Sequence, residues 1–194
     1  SSDLELNFIV HDKNLDKIED MKKPGGALFV NNSGLEIMHS TFTGCRSGSG
    51  GGAVFIQNYN EFQNNNIYFS NSTFKDCKAE YYGGAIYVFS AHPNAKVTIE
   101  NCTFINNNIT KFNNEIHPHG GCSVYLSARR SNITGCRFNS KSRGSLKINN
   151  TGIDWTTPPV PKELGQLSPI NIQISDCTFI NSDKKQNSIV VESP

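Results

Sequence analysis

Apolar positions in this chain recur in a short pattern that returns five times: an aliphatic pair two residues apart, Ser or Cys three further on, and Phe two beyond that. It reads Leu35-x-Ile37-x-x-Ser40-x-Phe42, Ile67-x-Phe69-x-x-Ser72-x-Phe74 and Val97-x-Ile99-x-x-Cys102-x-Phe104. The last two copies are Ile133-x-x-Cys136-x-Phe138, with Ser131 in the first aliphatic place, and Ile172-x-Ile174-x-x-Cys177-x-Phe179. A second pattern, Gly-Gly-Ala and an apolar run, alternates with it at Gly25-Gly26-Ala27, Gly51-Gly52-Ala53 and Gly83-Gly84-Ala85. Gly120-Gly121-Cys122 reads as a variant and Gly144-Ser145-Leu146 as a degenerate copy. The alternation has a period of two and no stretch sustains a helical period, so each copy is strand, corner, strand, corner.

The repeated Phe residues lie 32, 30, 34 and 41 residues apart, too far for hairpins and too regular for unrelated strands. One winding per repeat fits this spacing. Equivalent strands then run parallel, about 4.8 Å apart, and the five Phe stack as a ladder inside. Each buried Phe contributes about 1.5–3 kcal/mol relative to exposure, enough for a column to hold a slender core. The glycine pairs belong at corners, where a residue without Cβ takes positive φ and lets the next strand approach. The expectation is an all-β chain, a right-handed parallel β-helix solenoid of about five to six coils. It forms one domain, with an irregular segment over 1–24 and repeat coils over 25–191. Leu4-x-Leu6-x-Phe8 reads as a strand ahead of the repeats, and Ser188 to Val191 as the start of an unfinished winding. Both ends are then open strand edges, which proteins cover or pair, so the chain is expected to continue or to meet a partner there.

Gly-Gly-Ala-aliphatic alternating with Phe-x-x-Asn resembles the repeats of chlamydial polymorphic outer membrane proteins and related β-helical surface proteins of bacteria and some protists. The resemblance covers Gly25 to about Val191. Phe104-Ile105-Asn106-Asn107 keeps the full Phe-x-x-Asn, while Cys45, Cys77, Lys141 and Ser182 take the fourth place elsewhere. It implies a right-handed β-helix at a cell surface rather than one particular activity.

Cysteine placement sharpens the compartment. Cys102, Cys136 and Cys177 share one column, two before the Phe, and Cys45 and Cys77 another, three after it. Column mates on neighbouring windings fall within the Cα window of a disulfide, about 4.4–6.8 Å. A Cys45–Cys77 bond is expected. For the other four, Cys102–Cys136 with Cys122–Cys177 is one of the connectivities that spacing leaves open. The alternative is that inward Cys serves as a small hydrophobe in a buried ladder. Oxidised pairs would mean an extracellular or secretory setting. Asn31, Asn71, Asn101, Asn108, Asn132 and Asn149 each head an Asn-x-Ser/Thr sequon, and a chain this rich in Asn, Ser and Thr produces several by chance. Asn71 and Asn101 stand out, because their position three before the Phe has the parity opposite to the core and points them at solvent.

The net charge of +1 over 194 residues, with no basic block, argues against nucleic acid or an anionic membrane as partner. No signal peptide is visible, and no apolar run approaches the roughly 20 residues of a membrane span. Polysaccharide lyases and hydrolases also use this architecture, but the chemistry needs converging carboxylates or a carboxylate-bound cation. Asp76 and Asp176 lie at separate corners and Asp154 in a loop, so no catalytic residues, metal site or cofactor are expected. His117-Pro118-His119 lacks the spaced ligands of a metal site. Insertions at 57–66, 89–96, 106–119 and 151–169 interrupt the windings. Tyr59, Phe62, Tyr81, Tyr82 and Trp155, together with Arg129 and Arg130, supply a possible binding surface at such corners. The reading is a non-catalytic, secreted or cell-surface structural or adhesive protein. Its expected partners are further copies of itself, stacked head to tail into filaments, or other extracellular proteins. A carbohydrate-binding module is the first alternative and a polysaccharide lyase or hydrolase the second.

Overall fold

The structure is a computed structural model that describes residues 7–9, 25–58, 65–90, 95–110, 121–140, 144–149, 171–181 and 188–192. Among these every regular element is a β-strand and every strand pairing is parallel. No helix among them is long and apolar enough to cross a membrane.

The strands form four sheets that the chain visits in a fixed order. After a glycine corner comes the glycine sheet, with Leu28–Asn31, Val54–Asn58, Ile86–Ser90, Val124–Ser127, Leu146–Asn149 and Ile189–Glu192. Next is the aliphatic sheet of Leu35–Met38, Ile67–Ser70, Lys96–Glu100, Arg130–Thr134 and Asn171–Ser175. The Phe sheet follows, with Thr41–Thr43, Thr73–Lys75, Thr103–Ile105, Arg137–Ser140 and Thr178–Asn181. A short fourth sheet of Arg46–Ser47, Lys78–Ala79 and Asn108–Ile109 leads into the next glycine corner in the first three repeats. Parallel sheets whose neighbours lie a full repeat apart are consistent with the parallel β-helix expected above.

Register follows the repeated residues. Phe42 pairs with Phe74, Phe74 with Phe104, Phe104 with Phe138 and Phe138 with Phe179. The five rings stack at 4.8, 5.1, 4.7 and 4.8 Å between centroids, with planes within 8° of parallel. The first four are fully buried and Phe179 is half-buried against the same core. The aliphatic pairs stack likewise, Leu35, Ile67, Val97, Ser131 and Ile172 in one file and Ile37, Phe69, Ile99, Ile133 and Ile174 in the next. Ser131 breaks the first file, and its buried hydroxyl meets no partner.

Two elements differ from the sequence expectation. The strand read at Leu4-x-Leu6-x-Phe8, in a segment otherwise expected to be irregular, is found over Asn7–Ile9, which pairs with Thr41–Thr43 and puts Phe8 opposite Phe42, so the Phe sheet has a sixth strand. The fourth glycine corner is also shifted by one residue. Gly121 carries a positive φ of 79°, as Gly25, Gly51 and Gly83 carry 69°, 60° and 53°, which aligns Gly121-Cys122-Ser123 with Gly83-Gly84-Ala85. The physical reason lies in the two glycines' separate jobs. Gly51 takes φ +60°, and a Cβ on Gly52 would collide with the backbone of Gly84 and Lys78. Cys122 fills the second place in the fourth repeat, its N–H donating to the Gly144 carbonyl.

Candidate functional site

Chemistry-bearing side chains concentrate at the corners flanking the Phe strands. The residue three before each Phe has a left-handed backbone: His39, Asn71, Asn101, Gly135 and Asp176, with φ between 46° and 63°. Gly, Asn and Asp tolerate this conformation best, which explains the composition of the column. Asn71 and Asn101 lie exposed here, as expected, although the cause is the corner rather than strand parity.

The next residue, Ser or Cys, turns inward and ties the corner together. Ser40 and Ser72 donate their hydroxyls to the carbonyls two residues back at 2.8 and 2.7 Å. The sulfurs of Cys102, Cys136 and Cys177 make the same contact at 3.3, 3.4 and 3.2 Å. Each group also serves the repeat before it: the Ser40 N–H donates to the Ser72 hydroxyl at 3.1 Å, and the Ser72, Cys102 and Cys136 backbones hydrogen-bond to the next sulfur. "Ser or Cys" in the motif is therefore a small group that donates to a carbonyl and accepts an N–H.

A second ladder follows the Phe strands. Asn107 is 1% exposed; its Oδ1 accepts the Cys77 N–H and its Nδ2 donates to the Phe74 carbonyl, both at 2.9 Å. One repeat earlier Cys77 does this work, its sulfur 3.7 Å from the Phe42 carbonyl and hydrogen-bonded by the Cys45 backbone. Phe-x-x-Asn is thus a corner fastening, and Cys45 and Cys77 occupy its file.

All six cysteines are free thiols, and the expected Cys45–Cys77 bond is not formed in this structure. Strands in parallel register repeat about every 4.8 Å with their Cβ vectors aligned. A relaxed disulfide brings the Cβ atoms to about 3.5–4.5 Å, so the Cα spacing used in the sequence argument is not sufficient. The hydrogen bond from Cys77 instead lowers the Cys45 thiol below its usual value, while the same contact and burial raise Cys77. Cys136 lowers Cys102 in the same manner and is itself raised; burial raises Cys177. Cys122 stacks in the file of Gly84 and Gly144, whereas Cys177 neighbours Cys136, so the Cys122–Cys177 pairing has no support in the register.

The remaining candidates separate. Tyr81 is 37% exposed, its ring 6.4 Å from that of half-buried Tyr82. Tyr59, Phe62 and Trp155 lie outside the described residues, as do His117, His119 and Asp154. Arg130 is exposed and in register with exposed Lys96, which places two cations on adjacent strands; Arg129 is half-buried. Of the sequons, Asn31 is exposed and Asn108 and Asn132 half-buried. Asn149 is buried with its Nδ2, the atom a glycan would need, donating to the Tyr125 hydroxyl at 2.9 Å. Among the described residues no three of His, Cys, Asp and Glu come together to hold a metal ion.

Sequence reasoning missed a second aromatic stack on the outer face of the glycine sheet. Phe29, Phe55, Tyr87 and Tyr125 follow one another at 5.7, 4.6 and 5.5 Å, and the Lys147 ammonium stands 5.8 Å from the Tyr125 ring. Tyr82 lies across it, 5.7 Å from Tyr87 and 4.9 Å from Tyr125. The available signal was the residue between the two inward aliphatics of each post-glycine run. Comparison of the chain with family models, curated proteins and solved structures gives no match in any of the three.

Proposed function

We propose that this chain is an extracellular, non-catalytic protein built as a right-handed parallel β-helix of the cell-surface type, with a structural or adhesive role. The observation that carries the reading is the regular outer face of the Phe sheet. Thr41, Thr73, Thr103, Arg137 and Thr178 stand in register there, beside the exposed corners His39, Asn71, Asn101 and Asp176. Files of polar side chains, mostly hydroxyls in one, repeating about every 4.8 Å suit contact with an extended, repetitive partner. The sequons Asn71-Ser72-Thr73 and Asn101-Cys102-Thr103 open onto the same face, which supports passage through a secretory route. Exposed apolar residues mark both ends of the sheets, Phe29 and Met38 at one and Ile180 and Val191 at the other, and favour contact with further repeats or copies.

Two measurements test this. Glycopeptide mapping of material secreted from a eukaryotic host is expected to find sugar on Asn71 or Asn101; bare asparagine at both removes the support the sequons give. Sedimentation at rising concentration is expected to show self-association, and a monomer throughout removes the head-to-tail form of the reading. Carbohydrate binding is favoured by one observation, exposed Tyr81 beside Tyr82. On that reading Tyr81→Ala abolishes retention on an insoluble polysaccharide and leaves sedimentation unchanged.

A further inference from the structure

Cys102, Cys136 and Cys177 are stacked on three consecutive repeats, held in register by Arg137 N–H to Cys102 carbonyl and Thr178 N–H to Cys136 carbonyl bonds of 2.9 and 2.8 Å. The three sulfurs hold equivalent places, each against the carbonyl two residues back, so Cys136 has a cysteine of the neighbouring repeat on either side. Cys102 and Cys136 are 0% and 1% exposed, and Cys177 alone of the three is half-buried rather than buried. Thiol–disulfide exchange needs the attacking, central and leaving sulfurs close to one line, and a file of three supplies that arrangement.

We propose that Cys102, Cys136 and Cys177 form a thiol–disulfide relay, a redox site that takes oxidising equivalents from a small external disulfide at Cys177 and stores them as a buried Cys102–Cys136 bond. The Cys177 thiolate attacks one sulfur of the external disulfide, forming a mixed disulfide and releasing one thiolate. The Cys136 thiolate then attacks the Cys177 sulfur and releases the second, so two protein thiols lose two electrons and two protons while the external disulfide becomes two thiols. Finally the Cys102 thiolate attacks Cys136, forming Cys102–Cys136 and expelling Cys177 as thiolate, with no further electron change. Aligned Cβ vectors strain either bond, and strained disulfides exchange readily. Cys45 and Cys77, both fully buried and only two, have no such point of entry. The inference is independent of the adhesive reading, because it concerns thiols inside the wall.

The test uses the natural column as its control. Serine occupies the same place at Ser40 and Ser72 and bonds the same carbonyls, so Cys→Ser variants keep the corner, and circular dichroism checks that they do. Reduced protein is incubated with oxidised glutathione, alkylated, digested without reduction and mapped. Wild type is expected to accumulate Cys102–Cys136, Cys102→Ser to accumulate Cys136–Cys177, and Cys177→Ser to form Cys102–Cys136 about tenfold more slowly or worse. Equal rates in Cys177→Ser and wild type overturn entry through Cys177. Glutathione remaining on Cys177 in Cys102→Ser overturns the relay, as does full alkylation of Cys102 and Cys136 in unfolded, glutathione-treated wild type.

Discussion

The molecule contains two aromatic stacks built by the same strand register, and they differ in order. Inside, five Phe rings lie within 8° of parallel at 4.7 to 5.1 Å. Outside the glycine sheet, Phe29, Phe55, Tyr87 and Tyr125 tilt by 32°, 24° and 19° at 4.6 to 5.7 Å, and the file passes to a lysine. The inner rings are confined by aliphatic files and by corners whose side chains hold adjacent backbones in register. The outer rings form a smaller cluster in which Phe55, Tyr87 and Tyr125 are buried, with contacts to Tyr82 and Asn149, and only Phe29 at its head is exposed. The column facing the aliphatic files keeps one residue type, while the column on the opposite face of the glycine sheet, buried beyond Phe29 but built from Phe, Tyr and Lys, admits substitution.

The largest expected effect comes from breaking the inner stack at its centre. Phe104 is fully buried between Phe74 and Phe138, and Phe104→Ala is expected to cost about 3–5 kcal/mol in urea unfolding, by lost transfer energy and the cavity left behind. Phe179→Ala, with a ring on one side among the described residues and half-buried, is expected to cost clearly less. Equal losses at the two positions would mean that the stack does not gain from enclosure on both sides.

The difference between the stacks also explains what was legible. The inner column, the aliphatic files and the strand order could be read because each repeat needs the same residue at the same place. The outer stack could not, since Phe, Phe, Tyr, Tyr and Lys share only a position between two inward aliphatics. The frame of the fourth glycine corner was lost because Cys122 stands where Gly26, Gly52 and Gly84 stand elsewhere, and only the positive φ of Gly121 restores it. The left-handed column was legible in principle, as Asn71, Asn101, Gly135 and Asp176 are the residue types that conformation selects. Cysteine columns were visible, but the direction of their Cβ atoms was not, and that direction leaves any bond between column mates strained.

A smaller effect is expected where the outer stack is tied by polarity. Tyr125→Phe keeps the ring and removes the hydroxyl that accepts from Asn149 Nδ2. A buried amide donor deprived of that acceptor costs about 1–3 kcal/mol. If Tyr125→Phe were neutral in the same urea titration, packing alone would account for the outer stack, and the contrast with the inner one would narrow to ring tilt.

The sharpest comparison pairs two rings of a single repeat. Phe29 heads the outer file at 47% exposure and Phe42 sits in the inner file at 0%. Full burial of such a side chain is worth about 1.5–3 kcal/mol, so half of it, with one tilted ring contact, puts Phe29→Ala at about 1 kcal/mol. Phe42→Ala falls in the range of about 3–5 kcal/mol expected for a core aromatic. Both substitutions delete the same atoms from the same repeat, so differences in the unfolded chain largely cancel and the ratio reports enclosure. A Phe29→Ala loss as large as that of Phe42→Ala in urea unfolding would show that exposure at the head of the outer file does not set the cost, and the ratio would no longer report enclosure.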